Sequence, residues 1–167
     1  MSKRNRKLKL SSLIVVGEGP HDKAFINHLK DLYDLRNTGQ RVKVESADGG
    51  SPRDILKSVL KNMHADFDKK YVLMDSDVVV TQQDRDFARK NKIEIIQSTP
   101  CCLEGMLLDA LGEQVPSGNE ACKRKLHPML AGVPSDKISY GNLFPKEFVD
   151  HSGKEQLVTL RELLSNT

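Results

Sequence analysis

The sequence contains few aromatic residues and few cysteines. Tryptophan is absent and aromatic residues make up 5% of the chain, so recognition of single-stranded nucleic acid by stacked bases is not indicated. The three cysteines, two of them adjacent, match neither a disulfide framework nor the spacing of zinc ligands. This cysteine usage favours a reducing compartment, in which the cysteines are small buried hydrophobic residues.

Long apolar runs are absent as well. No segment approaches the roughly 20 consecutive apolar residues that a membrane-spanning helix needs. The basic N-terminus precedes a strand pattern instead of the apolar region and small-residue cleavage site of a signal peptide. We therefore expect a cytoplasmic protein with no membrane partner.

The size and composition of the chain are those of one folded domain. Its 167 residues suffice for a single hydrophobic core and are too few for two. Apolar residues make up 38% and charged residues 29%, which is ordinary for a globular protein and argues against disorder.

The net charge of +3 is modest, but basic residues cluster at two places in the chain. Each cluster is either a solvated surface or a contact for the phosphates of a nucleic acid. Another candidate phosphate contact is an arginine that follows a Gly-Gly turn. These candidate nucleic-acid-binding residues are Lys3, Arg4, Arg6, Lys7, Arg53, Lys123, Arg124 and Lys125.

Apolar runs typical of strands alternate with segments of helical periodicity. Strands are predicted over residues 13–16, 41–47, 71–74 and 93–96. Helices are predicted from Pro20 to about Leu35, from Pro52 with Met63 on the apolar face, and over residues 82–90, 103–111 and 155–164. This alternation predicts an α/β fold with a mostly parallel, four-stranded sheet flanked by helices.

The same pattern predicts how the chain is organised. Residues 1–10 form a basic tail and residues 11–112 form the α/β domain. Beyond Gly112 the pattern weakens, and residues 113–167 are expected to form a loop-rich, helical C-terminal extension that packs on the same domain.

Acidic residues directly follow the first and third predicted strands. Glu18 and Asp22 follow the first strand, and Asp75 and Asp77 follow the third. In open α/β sheets, ligands bind beyond the carboxyl ends of the strands. Carboxylates grouped there repel one another unless a cation lies between them, and such oxygen ligands suit Mg²⁺ or Mn²⁺. The sequence therefore predicts a divalent-metal site that acts on phosphate.

These motifs resemble those of the TOPRIM domain, in which Glu-Gly follows the first strand and DxD follows the third. Here they are Glu18-Gly19 and Asp75-Ser76-Asp77, within residues 13–111. The resemblance implies a Rossmann-like TOPRIM fold. It also implies that Glu18, Asp75 and Asp77 are catalytic residues that bind Mg²⁺, with Asp22 as a further metal ligand.

Two other features resemble particular TOPRIM nucleases. The spacing of Glu18 and Asp22 is similar to the ExxxD/E variant of OLD-family nucleases, and residues 98–104 resemble the SNPxFE element of RloB-like proteins. Both groups are associated with phage defence. The resemblance implies a metal-dependent nuclease that cleaves phosphodiester bonds in RNA or DNA. An ATPase partner and a homodimer both remain open, and the chain itself has no GxxxxGK[ST] motif.

Other interpretations of the same residues remain open. The domain could instead be a non-catalytic subunit that binds nucleic acid or a protein partner. Asp75 and Asp77 also fit a phosphatase-like DxDxV motif or the DxD motif of a nucleotide-sugar transferase, but neither accounts for Glu18. Glu104 is interpreted as a helix-start residue with metal binding as the alternative, and His21 as an exposed helix-start residue with phosphate binding or proton transfer as alternatives.

Overall fold

The computed structural model describes residues 10–61 and 66–167. The predictions that involve Lys3, Arg4, Arg6, Lys7 and Met63 therefore lie outside the described residues. The strands are β1 (Ser11–Gly17), β2 (Gln40–Ser46), β3 (Lys69–Asp75) and β4 (Ile93–Ser98).

Seven α-helices lie within the described ranges. They are α1 (Pro20–Tyr33), α2 (Pro52–Val59), α3 (Gln82–Lys90), α4 (Leu103–Ala110), α5 (Asn119–Leu126), α6 (Lys146–His151) and α7 (Glu155–Ser165). Two short 3-10 helices, His127–Met129 and Lys137–Tyr140, lie between α5 and α6. None of the helices in the described ranges is both long enough and apolar enough to cross a membrane.

The four strands form one parallel sheet in the order β2-β1-β3-β4. This confirms the predicted α/β class with a parallel, Rossmann-like sheet. The chain passes from β1 outward to β2 and then returns to the other side of β1, so the direction of strand order reverses between β1 and β3. In such sheets the crevice outside the carboxyl ends at the reversal point is the usual position of a ligand site.

Strand β1 is buried on both faces, which explains its continuous apolar sequence. Leu13 and Val15 belong to the core that packs against α1, α4, α5 and α7. Ile14 and Val16 point to the opposite face and belong to the core beneath α2 and α3. The two-residue period of a strand thus divides one apolar run between two cores.

The C-terminal region packs on the face of the sheet that carries α1. The ring of Phe25 in α1 makes edge contacts with Tyr140 and Phe144, with ring centroids 5.5 and 5.6 Å apart. The buried imidazole of His28 lies 2.7 Å from the carbonyl oxygen of Phe144. Aromatic packing and this hydrogen bond therefore join residues after Gly112 to the first helix.

Where both ends of a predicted element lie within the described residues, its boundaries differ from those of the structure by at most two residues. The first helix ends at Tyr33 instead of about Leu35, because Asp34, with φ −83° and ψ 63°, leaves the helical conformation. Helices α5 and α6 were not predicted. Their sequences are mostly polar, and their few apolar residues show no clear helical period.

Helix α4 can approach the preceding loop only because Gly105 has no side chain. A Cβ atom at this position would lie 2.2 Å from the carbonyl oxygen of Pro100. In an open helix Gly→Ala stabilises by about 1 kcal/mol, but here backbone atoms must move. We expect Gly105→Ala to lower the free energy of unfolding by about 1–3 kcal/mol in urea titrations.

Gly153→Ala is the matched control, because no atom lies within 4 Å of a Cβ built at Gly153. Its free energy of unfolding should differ from that of the unmodified protein by less than about 0.5 kcal/mol. Equal stabilities for the two variants would contradict the close packing at Gly105.

Candidate metal centre

The candidate site lies where β1 and β3 end side by side. The N–H of Glu18 donates to the carbonyl oxygen of Leu73 at 3.1 Å, which continues the pairing of the two strands. The N–H of Asp75 donates to Glu18 Oε2 at 2.9 Å. The end of β3 therefore holds the carboxylate of Glu18, the residue that follows β1.

The first turn of α1 brings Asp22 to the same place. A Cβ atom on Gly17, the last residue of β1, would lie 2.6 Å from the Cβ of Asp22. Gly17 thus permits the helix to start directly against the strand end. The N–H of Gly19 donates to Asp22 Oδ2 at 3.0 Å, which holds this carboxylate in the first turn.

Asp22 is 6% exposed, and its second oxygen is unsatisfied. Oδ1 is buried and has no hydrogen-bond partner among the described residues. Burial, reinforced chiefly by the charge of Asp75, raises the pKa of Asp22 well above its usual range. This carboxylate needs either a proton or a cation to compensate its charge.

Asp75 is subject to the same effect. Burial raises the pKa of Asp75 to about 7, and the nearby carboxylates of Glu18 and Asp77 add to the shift. Asn119 Nδ2 donates to Asp75 Oδ2 at 3.3 Å. The carboxylates predicted as metal ligands are thus close enough to repel one another.

Asp77 occupies the outer side of this group. It is exposed, its N–H donates to the carbonyl oxygen of Cys101 at 3.0 Å, and its carboxylate lies 3.9 Å from the Sγ of Cys101. The other three predicted ligands line a cleft of about 400 Å³. Other polar residues that line the cleft are His21, Asp48, Glu104, Asn119 and Lys123.

A second group of ligand-type side chains borders the same cleft. Glu104 has a side chain only 5% exposed, and its Oε1 lies 3.2 Å from His21 Nδ1 and 3.0 Å from His127 Nε2. One ligand atom from each residue lies within 4.8 Å of the other two. This triad, buried at Glu104 and half-buried at the two histidines, could hold a metal ion, and the arrangement alone does not identify the metal.

The triad refines two interpretations made from the sequence. Glu104 does lie in the first turn of α4, and it also binds two imidazoles. His21 is not an exposed residue without a partner, because the beginnings of α1 and α4 bring it against Glu104. His127 had no recognisable signal, since more than twenty residues separate it from Glu104 in the chain.

The second basic cluster consists of Lys123, Arg124 and Lys125, and Lys123 lines the cleft. Its Nζ lies 3.9 Å from the exposed carboxylate of Glu120, a separation that leaves it able to contact an anion. Lys125 instead points towards Glu113, at 3.7 Å, and Arg124 is exposed.

Arg53 lies away from the residues that line the cleft. Its Nε donates to Asp84 Oδ1 at 3.1 Å, and its guanidinium lies 4.7 Å from the centre of the Phe87 ring. These contacts join α2 to α3. Phosphate binding by Arg53 stays a prediction, and it would require the side chain to leave Asp84.

The raised pKa of Asp75 predicts how the stability of the metal-free protein depends on pH. The folded-state pKa is about 7 and the ordinary value is 3.8, so between these values the folded state binds more protons than the unfolded state. The free energy of unfolding should therefore fall as pH rises from about 4 to above 7. Asp75→Asn should remove part of this fall, about 1–2 kcal/mol once partial solvent screening is allowed for.

Urea unfolding at pH 5 and pH 8 in the presence of a chelator measures this effect. The control is Asp86→Asn, because Asp86 is exposed and, among the residues that the structure describes, pairs with groups of its own helix. If the free energy of unfolding depends on pH equally in Asp75→Asn, in Asp86→Asn and in the unmodified protein, Asp75 is not the cause of the dependence.

Comparison with known proteins identifies no relative of this chain. No family model matches it, and neither a curated protein nor a solved structure gives a significant match. The function must therefore be argued from the geometry and chemistry of the cleft.

Proposed function

We propose that this protein is a metal-dependent nuclease of the TOPRIM type that hydrolyses phosphodiester bonds in RNA or DNA. The observation that carries the proposal is the buried, unpartnered Oδ1 of Asp22 beside the carboxylates of Glu18 and Asp75. A folded protein keeps such an atom at a cost in free energy unless a ligand compensates it.

The donor set fits a hard divalent cation. Glu18, Asp22 and Asp75 offer only carboxylate oxygens, and Asp77 adds another at the outer side of the cleft. Mg²⁺ and Mn²⁺ bind such oxygens and retain positions for phosphate oxygens or water. The parallel strand ends at the reversal point of the sheet provide the usual place for such a ligand.

A divalent cation bound there would polarise a phosphate oxygen and lower the pKa of a coordinated water. The protein's own groups supply orientation. The backbone N–H of Asp75 holds Glu18 through Oε2, and the amide of Asn119 holds Oδ2 of Asp75. Lys123 presents an ammonium group to the same cleft, where it can bind the negative charge of a phosphate.

The cluster of carboxylates in the cleft favours hydrolysis over the other interpretations. A subunit that only binds nucleic acid gains nothing from clustered carboxylates, which repel phosphate when no cation is bound. The phosphatase-like interpretation requires Asp75 to attack as an ionised nucleophile. That interpretation gives no role to Glu18, whose carboxylate accepts a hydrogen bond from the N–H of Asp75 in the same cleft.

Cleavage assays test the proposed activity. Purified protein is incubated with labelled tRNA, single-stranded DNA and duplex DNA in Mg²⁺ or Mn²⁺, with EDTA as the metal-free condition. We expect cleavage of at least one substrate that requires metal and falls about 10²–10³-fold in Asp75→Ala and Asp22→Asn. Asp86→Asn, remote from the cleft, should retain full activity.

Two results would contradict the nuclease assignment. Cleavage that persists unchanged in Asp75→Ala would place the reaction elsewhere or indicate a contaminant. Binding of nucleic acid without cleavage, equal in EDTA and in the variants, would favour a non-catalytic subunit.

The position of Lys123 generates a separate prediction about substrate binding. Lys123→Ala should weaken nucleic-acid binding and reduce the slope of log K against log salt by about 1, because one phosphate contact is lost. Lys125→Ala is the matched control, since Lys125 carries the same charge but points towards Glu113. Equal salt slopes for the two variants would show that Lys123 makes no phosphate contact.

A further inference from the structure

The triad of His21, Glu104 and His127 joins three separate elements at one point. His21 lies in the first turn of α1, Glu104 in the first turn of α4, and His127 begins the 3-10 helix after α5. The two imidazole rings meet edge to face with centroids 5.1 Å apart. No local sequence motif brings these residues together, so the tertiary fold alone creates the cluster.

Two of the three separations within the triad are close to those between neighbouring ligands of a metal ion. Zinc binds imidazole nitrogen and carboxylate oxygen at about 2.0–2.2 Å, so neighbouring ligands in a tetrahedron lie about 3.4 Å apart. The two nitrogen–oxygen distances are 3.2 and 3.0 Å. All three ligand atoms lie within 4.8 Å of one another. A tetrahedral ion therefore requires the two nitrogen–oxygen contacts to lengthen by a few tenths of an ångström and the two imidazole nitrogens to lie about 3.4 Å apart.

The donor chemistry differs from that of the carboxylate cluster. Two imidazoles and one carboxylate suit borderline metals such as Zn²⁺, whereas Mg²⁺ prefers oxygen ligands and retains its water. Three protein ligands leave a fourth position for water or a phosphate oxygen, as in zinc sites that perform chemistry. His21 and Glu104 line the cleft, so this position is accessible from the same side as Asp22 and Asp75.

Glu104 also acts electrostatically on its neighbours. Its charge contributes to the raised pKa of both Asp22 and Asp75, which shows that the two groups of ligands lie within mutual influence. A cation at the triad would offset the buried charge of Glu104 and reduce this repulsion.

We propose that His21, Glu104 and His127 form a binding site for a first-row transition-metal ion, with Zn²⁺ as the preferred occupant, separate from the carboxylate site. The alternative is a metal-free network in which both imidazoles donate hydrogen bonds to the buried carboxylate. The two arrangements differ in whether the imidazole nitrogens bear a proton or a metal, so experiment can distinguish them.

Metal titration of the chelator-treated, tag-free protein tests the proposal. Zn²⁺ binding is measured by calorimetry, and Co²⁺ is used as a probe because its visible absorption reports tetrahedral coordination. We expect a site that binds Zn²⁺ in the presence of excess Mg²⁺. His127→Gln and His21→Gln should each weaken it at least about 10–100-fold.

Two control variants locate the ion. His151→Gln should bind Zn²⁺ as the unmodified protein does, because His151 is exposed at the end of α6 and its Nδ1 bonds to the carbonyl oxygen of Glu147, away from the triad. Asp75→Asn should keep the Zn²⁺ site while it abolishes Mg²⁺-dependent cleavage. The titration uses the metal alone, so it can fail or succeed independently of the proposed nuclease activity.

Two outcomes would overturn the inference. One is equal Zn²⁺ affinity in the unmodified protein and in both triad variants. The other is loss of Zn²⁺ binding in Asp75→Asn with retention in His127→Gln, which would place the ion among the carboxylates. Should a triad variant fail to fold, imidazole ¹⁵N shifts of the unmodified protein with Zn²⁺ give the answer: unchanged shifts for His21 and His127 exclude the site.

Discussion

The parallel pairing of β1 and β3 is the constraint on which the candidate site depends. Glu18 continues the pairing with Leu73, and the N–H of Asp75 binds the carboxylate of Glu18. Backbone hydrogen bonds thus force two acidic residues together at the edge where strand order reverses. The helix that begins at Pro20 adds Asp22 because Gly17 lets it approach. Every later feature of the cleft is built around this arrangement.

Keeping these carboxylates together lowers the stability of the metal-free protein. Burial and mutual repulsion raise the pKa of both Asp22 and Asp75, so ionisation near neutral pH opposes folding. Such local conflict with stability is characteristic of functional sites. The cores on the two faces of the sheet compensate, since residues 13–16 of β1 are buried between them. A rigid sheet thereby holds groups that would separate in a flexible chain.

Much of the fold was predictable because its signals are local. Apolar runs in β1 and β3 and the helical periods of α1 and α4 involve neighbouring residues, and burial on both faces makes those runs continuous. Helices α5 and α6 were not predictable, because their sequences are mostly polar and their few apolar residues show no clear helical period. The aromatic contacts of Tyr140 and Phe144 with α1 involve residues more than 100 positions apart, which no periodicity reveals.

The sequence by itself determined the α/β class and the acidic motifs that follow the strands. Glu18 and Asp75 were recognisable because a residue after a buried strand must lie at the sheet edge, whatever the rest of the fold does. Only the tertiary structure decided that Glu104 meets His21 and His127, that Lys123 faces the cleft and that Arg53 pairs with Asp84. The physical reason is that strands, helices and the acidic residues that follow the strands are marked by neighbouring residues in the chain. Strand order and the side-chain contacts between distant elements depend instead on how all the elements pack together.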